Sequence, residues 1–134
     1  MVFVVDDDNA VRDSMCALLE SAGIEVHDYA SANDFLRLVS LNSGGCLILD
    51  LQMPGMSGIE VLERLRAEGN QIPVIVMTGR GDPALKEKVM RSGALELLDK
   101  PVDEALLMRA LDRAFTSSVV RTTLLVIKPW ETIK

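Results

Sequence analysis

Five short apolar runs, each followed by a stretch of helical periodicity, restrict this chain to very few folds. The runs are Val2 to Val5, Ile24 to Tyr29, Cys46 to Leu49, Ile72 to Met77 and Leu95 to Leu98. They are rich in β-branched residues and end at turn formers, the pattern of buried strands. Between them the spacing changes. Val11, Met15, Leu18, Leu19 and Ala22 mark one helical face, and Gly23 suits the left-handed position after a helix end. Ser31 with Asp34, and Ser57 with Glu60, have capping-box spacing and open helices, the first of them running through Val39 and the second continuing to Gly69. Asp82-Pro83 reads as a cap and first helical residue, and Asp103 caps a last helix carrying Leu107, Ala110, Leu111 and Ala114. Strict alternation of strand and helix implies a parallel sheet with right-handed crossovers and helices on both faces, a doubly wound α/β fold.

Composition narrows the function. The length of 134 residues fits one domain, and 49% hydrophobic with 25% charged residues supports a packed core rather than disorder. A net charge of −6 would repel nucleic-acid phosphates, so this segment is not expected to bind DNA by itself. Cys16 and Cys46 sit in apolar runs, without metal-ligand spacing, and are expected to be buried thiols. No apolar run approaches the roughly 18 residues of a membrane span, and the start of the chain does not read as a signal peptide; a cytoplasmic protein without a membrane partner is expected.

In doubly wound folds ligands bind beyond the carboxyl ends of the strands. The first strand ends in Asp6-Asp7, the third in Asp50, the fourth in Thr78, and the fifth is followed by Lys100-Pro101. Taken singly, each has an ordinary explanation. An acidic run favours a helix dipole, which accounts for Asp8; a threonine after a strand is usually a turn residue, and a lysine before proline is usually solvated. Together, at four separate strand ends, they form a chemical set. Three close carboxylates repel unless a cation joins them, and all-oxygen ligands select a hard ion such as Mg²⁺. Lys100 supplies a mobile charge and Thr78 a hydroxyl, both suited to phosphoryl oxygens. With no His or Cys nucleophile in the set, a carboxylate is the acceptor it offers.

The segments Val4-Val5-Asp6-Asp7-Asp8, Leu49 to Gly58, Met77 to Asp82 and Asp99-Lys100-Pro101 resemble the signatures of response-regulator receiver domains. The resemblance spans residues 2 to about 115 and is closest to the FixJ-like branch, transcription regulators that join this module to a helix-turn-helix domain. It implies the CheY-like strand order 2-1-3-4-5. It implies that Asp50 accepts a phosphoryl group from a sensor histidine kinase. Asp7 and Asp50 would ligate Mg²⁺ (or Mn²⁺) with the Gln52 backbone carbonyl, and Asp6 would help through water. Thr78 and Lys100 would hold the phosphoryl oxygens, the cis lysine–proline peptide aiming Lys100 inward. Phosphorylation would draw Thr78 inward, move the loop from Gly79 to Asp82 and switch an output surface, with homodimer formation a further consequence. The domain would be a phosphoacceptor switch that assists its own phosphorylation and dephosphorylation rather than an enzyme. One position departs from the pattern: the fifth-strand aromatic of many receivers is Leu97 here, which removes an aromatic rotamer switch.

Two competing readings remain at this stage. An aspartyl phosphatase on a similar sheet would need an acid/base aspartate two residues after the nucleophile, where this chain has Gln52. A pseudo-receiver acting only by protein binding would not need the full set of site residues. Arg80 and Gln52 flank the site at positions that could set phosphate lifetime. His27 is expected to be structural, and Met53 and Met56 to pack the loop. Residues 1–115 are assigned to the receiver, while 116–134, with Val119, Val120 and Leu124 to Ile127, form a tail of unassigned role that carries no DNA-binding pattern; an extra strand, a dimer contact and a remnant of a different or truncated effector are all compatible with it, and a stand-alone receiver is the alternative to the receiver part of a transcription regulator.

Overall fold

The computed structural model describes residues 1–38 and 44–123. Its elements run β1 (Val2–Val5), α1 (Asn9–Ser21), β2 (Val26–Tyr29), α2 (Ala32–Leu38), β3 (Cys46–Asp50), α3 (Gly58–Ala67), β4 (Val74–Thr78), α4 (Pro83–Arg91), β5 (Glu96–Asp99) and α5 (Glu104–Thr123). The strands form one parallel sheet in the order β2-β1-β3-β4-β5, as the resemblance implies. Among the described residues no helix is long and apolar enough to cross a membrane.

Alternation along the central strands divides the core in two. Phe3, Val5, Leu47, Leu49, Val74 and Val76 face α2, α3 and α4, packing on Phe35, Val61, Leu62, Leu65 and Val89. Val2, Val4, Ile48, Ile75 and Met77 face α1 and α5, packing on Met15, Leu19, Leu107, Leu111 and Ala114. With both faces covered, β1, β3 and β4 are buried at every position, which is why they read as continuous apolar runs. The edge strand β2 is covered less, and its His27 is exposed, pairing with Glu25 at 2.7 Å.

Helix starts follow their caps. Asp8 accepts from the amides of Ala10 and Val11, Asp82 from Leu85, and Ser57 and Glu60 form the reciprocal capping box. Strand starts shift by one or two residues for local reasons. The Ile24 amide is taken by the Leu19 carbonyl closing α1, and the Ile72 amide by the Asn70 side chain, so neither begins a ladder. Cys46 is buried, and burial pushes its thiol up to about 12. Cys16, expected to be buried, is half-buried, because it lies beside rather than on the Met15–Leu19 stripe of α1. The tail does not begin as a strand: residues 116–123 continue α5, while 124–134, and Val39 at the expected end of α2, lie outside the described residues.

Phe35 joins α2 to the sheet, its ring 5.6 Å from those of both Phe3 and Tyr29 in edge-on geometry. Replacing it with alanine should cost about 3–5 kcal/mol. In urea denaturation this appears as a lower midpoint with an unchanged slope.

Candidate functional site

Because all strands are parallel, their carboxyl ends meet at one edge of the sheet. The chain leaves β1 toward β2 and returns across it to β3, so the switch point of the topology lies between β1 and β3. Asp6 and Asp7 follow one of these strands and Asp50 ends the other. Asp6 and Asp50 are buried and Asp7 is exposed, and one carboxylate oxygen from each lies within 4.8 Å of the others. Three anionic oxygens at this spacing form a donor set suited to a hard divalent cation.

Lys100 enters from beyond β5, just before a cis Lys100–Pro101 peptide, and its Nζ lies 3.1 Å from Asp6 Oδ2 and 3.2 Å from Asp50 Oδ1. The rest of the edge is held by backbone. The Asp8 amide donates to Asp6 Oδ1 at 2.9 Å, and the Gln52 amide to Asp50 Oδ1 at 3.2 Å. Gly58 opens α3 directly beneath the loop that follows Asp50: a Cβ there would come within 2.8 Å of Leu51 Cα and 3.0 Å of the Asp50 carbonyl, so only glycine lets the helix approach this closely.

Thr78 and Gln52 are at the same edge but are engaged differently. The buried Thr78 hydroxyl accepts from the Arg80 amide at 3.0 Å, and its carbonyl accepts from the Lys100 amide at 2.7 Å. The Gln52 side-chain oxygen accepts from the Gly79 amide at 3.2 Å, bridging the loops after β3 and β4. Leu97 is half-buried and packs against the core on the α2–α3–α4 side, as do Met53 and Met56. Sequence reasoning passes over Arg12, which donates to the Asp6 carbonyl at 2.8 Å and pairs with Asp28 at 3.0 Å. Its position four residues after the Asp8 cap was the available signal, but the partner on β2 was not.

Burial pushes the Asp50 carboxyl up, the Asp6 charge adds to this, and Lys100 offsets part of it. For Lys100, burial works against the charged form, yet the hydrogen bond to Asp6 and the charge of Asp50 outweigh it and raise its pKa. The lysine therefore stays charged at neutral pH and offsets part of the carboxylate charge.

An acidic cluster at the switch point of a 2-1-3-4-5 sheet, closed by a lysine from just beyond the last strand, is the architecture of receiver domains. The chain belongs to the response regulator receiver domain family, whose profile matches residues 2–112. It is 46% identical over 110 residues to the transcriptional regulatory protein FixJ of Azorhizobium caulinodans, covering 82% of this chain and 52% of that one. It is 40% identical over 114 residues to the response regulator TodT of Pseudomonas putida, covering 85% and 50%. Among solved structures, the response regulator StyR superposes with a TM-score of 0.85 at 41% identity, covering 92% of this chain and 62% of StyR. FixJ-N gives 0.78 at 37% identity, covering 84% and 90%. The chain spans about half the length of the curated relatives it matches.

A carboxylate whose pKa is raised destabilises the fold at pH values where it is ionised. Asp50→Asn, whose amide oxygen can still accept from Lys100, should therefore stabilise the metal-free protein at neutral pH by about 1 kcal/mol, or about 3–5 °C in melting temperature. The gain should vanish as pH falls below the ordinary carboxylate range, where Asp50 is protonated. Thermal melts in EDTA at neutral and acid pH check both.

Proposed function

We propose that Asp50 accepts a phosphoryl group from a sensor histidine kinase in a Mg²⁺-dependent reaction, Mn²⁺ serving equally. The resulting switch would regulate transcription through an effector outside this chain. The observation that carries this reading is the meeting of the Asp6, Asp7 and Asp50 oxygens within 4.8 Å, with Lys100 on the same two buried carboxylates. The donor set fits the metal, with the Gln52 backbone carbonyl as a further ligand, and Mg²⁺ bound there would neutralise the carboxylates and the transferring oxygens.

The chain's own residues do the remainder. An Asp50 carboxylate oxygen attacks phosphorus in line as the phosphorus–nitrogen bond of the donor phosphohistidine breaks. Lys100 exchanges its contact with the Asp50 carboxylate for one with a phosphoryl oxygen, keeping the Asp6 contact as an anchor. Thr78 gives up its bond from Arg80 and turns its hydroxyl to another phosphoryl oxygen. The bridge from Gln52 to Gly79 couples this turn to the loop before α4, and α4 and β5 form the output surface, on which phosphorylated copies pair. Leu97 transmits the change by packing rather than by an aromatic rotamer. The receiver module is assigned to residues 1–115, with 116–134 a tail of unassigned role. The domain works as a switch in the cytoplasm and does not turn over a substrate or grip nucleic acid.

The test is the amide NMR spectrum of the full chain with Mg²⁺ and beryllofluoride, and intact mass after treatment with acetyl phosphate. The wild type should shift resonances around Gly79 to Asp82 and gain the mass of one phosphoryl group. Asp50→Asn should do neither, and Lys100→Ala should respond at least tenfold more weakly. A phosphoryl group on Asp50→Asn would exclude Asp50 as the acceptor.

A further inference from the structure

The mechanism above leaves Arg12 without a part, yet this side chain is tightly engaged. It is the fourth residue of α1 and only 13% exposed. Its guanidinium divides among three elements: Nη1 donates to the Asp6 carbonyl at 2.8 Å, Nη2 donates to Asn9 Oδ1, and Nε pairs with Asp28 Oδ2 on β2 at 3.0 Å.

Asp6 is held at four atoms, its own amide donating to the Tyr29 carbonyl at 3.2 Å. Arg12 holds its carbonyl, the Asp8 amide holds Oδ1 at 2.9 Å, and Lys100 holds Oδ2 at 3.1 Å. Asp8 in turn caps α1 through the amides of Ala10 and Val11, and α1 carries Arg12 back to Asp6. The circuit closes around Asp7, which is exposed and draws no side-chain partner among the described residues.

We infer that Arg12 is a positioning residue for the metal-binding loop: its three-way fork fixes the backbone from Asp6 to Asp8 so that the Asp7 carboxylate meets those of Asp6 and Asp50, while Asp28 cancels its charge. The inference rests on the reading that this acidic edge binds Mg²⁺. Two effects of Arg12 oppose each other. A guanidinium near a divalent cation repels it, and a rigid fork spares the loop the cost of ordering when the cation arrives. Asp28, 3.0 Å from Nε, screens the first and leaves the second. A lysine could supply the charge but not three donors in fixed directions.

Calorimetric titration of MgCl₂ into the full chain at low ionic strength, with melts of each variant in EDTA, tests this. Arg12→Met should weaken Mg²⁺ binding about tenfold or more, the scale expected when a partner that orients a ligand is lost. Arg12→Lys should fall comparably. Asp28→Asn, which bares a positive charge while leaving the fork's other two bonds, should weaken binding about threefold, and added salt should shrink that loss. All three should still melt cooperatively in EDTA, separating metal affinity from folding. If Arg12→Met or Arg12→Lys binds Mg²⁺ as tightly as the wild type, or more tightly, the inference falls while the site reading stands. Should Arg12→Met fail to fold, Arg12→Lys and Asp28→Asn decide by the same criterion. A wild-type chain that binds no Mg²⁺ overturns both readings.

Discussion

Carboxylates that share a small, partly dry volume repel one another, and the rest of this molecule is arranged around that repulsion. Asp6 and Asp50 are buried at the ends of neighbouring strands, where their separation is fixed by the β1–β3 register rather than chosen by the side chains. Lys100 relieves part of the strain from the far side of the sheet, reaching both from beyond β5. Local relief would come from protonation, and the raised pKa of Asp50 records that tendency. A fold that keeps such groups ionised spends stability on readiness, a trade often found where chemistry is done.

The sheet explains why this tension can be sustained. β1, β3 and β4 are packed on both faces, and their apolar side chains hold the strand ends in place whatever the charges do. Gly58 brings α3 against the loop after Asp50, and the Asp8 and Ser57 caps start α1 and α3 next to it. Helix starts, loop backbones and carboxylates therefore form one layer, supported from below by the core.

Much of this is legible in the sequence because the parallel sheet converts separation along the chain into proximity at one edge. Once Val2 to Val5, Cys46 to Leu49, Ile72 to Met77 and Leu95 to Leu98 are taken as parallel strands, Asp6, Asp50, Thr78 and Lys100 must share an edge. What is not legible depends on pairings that periodicity does not encode. Arg12 meets Asp28 across sixteen residues, and the Gln52 amide oxygen meets Gly79 across twenty-seven. Strand starts move because Ile24 and Ile72 spend their amides on turns, a choice made by Leu19 and Asn70 rather than by propensity. The half-buried Cys16 likewise follows from its angular place on α1, which apolar neighbours in sequence conceal.

The Thr78 carbonyl, bonded to the Lys100 amide at 2.7 Å, constrains how any message can leave the site. That bond ties the end of β4 to the residue after β5, so in the proposed switch a threonine hydroxyl turning toward Asp50 would swing about a fixed axle instead of dragging its strand. In the proposed switch the sheet would then serve as the bearing, with the hydroxyl and the loop beyond it moving first and α4 and β5 following. A signal born at the acidic edge would in that sense be a rotation first and a displacement second, starting in the few residues between the axle and the first turn of α4.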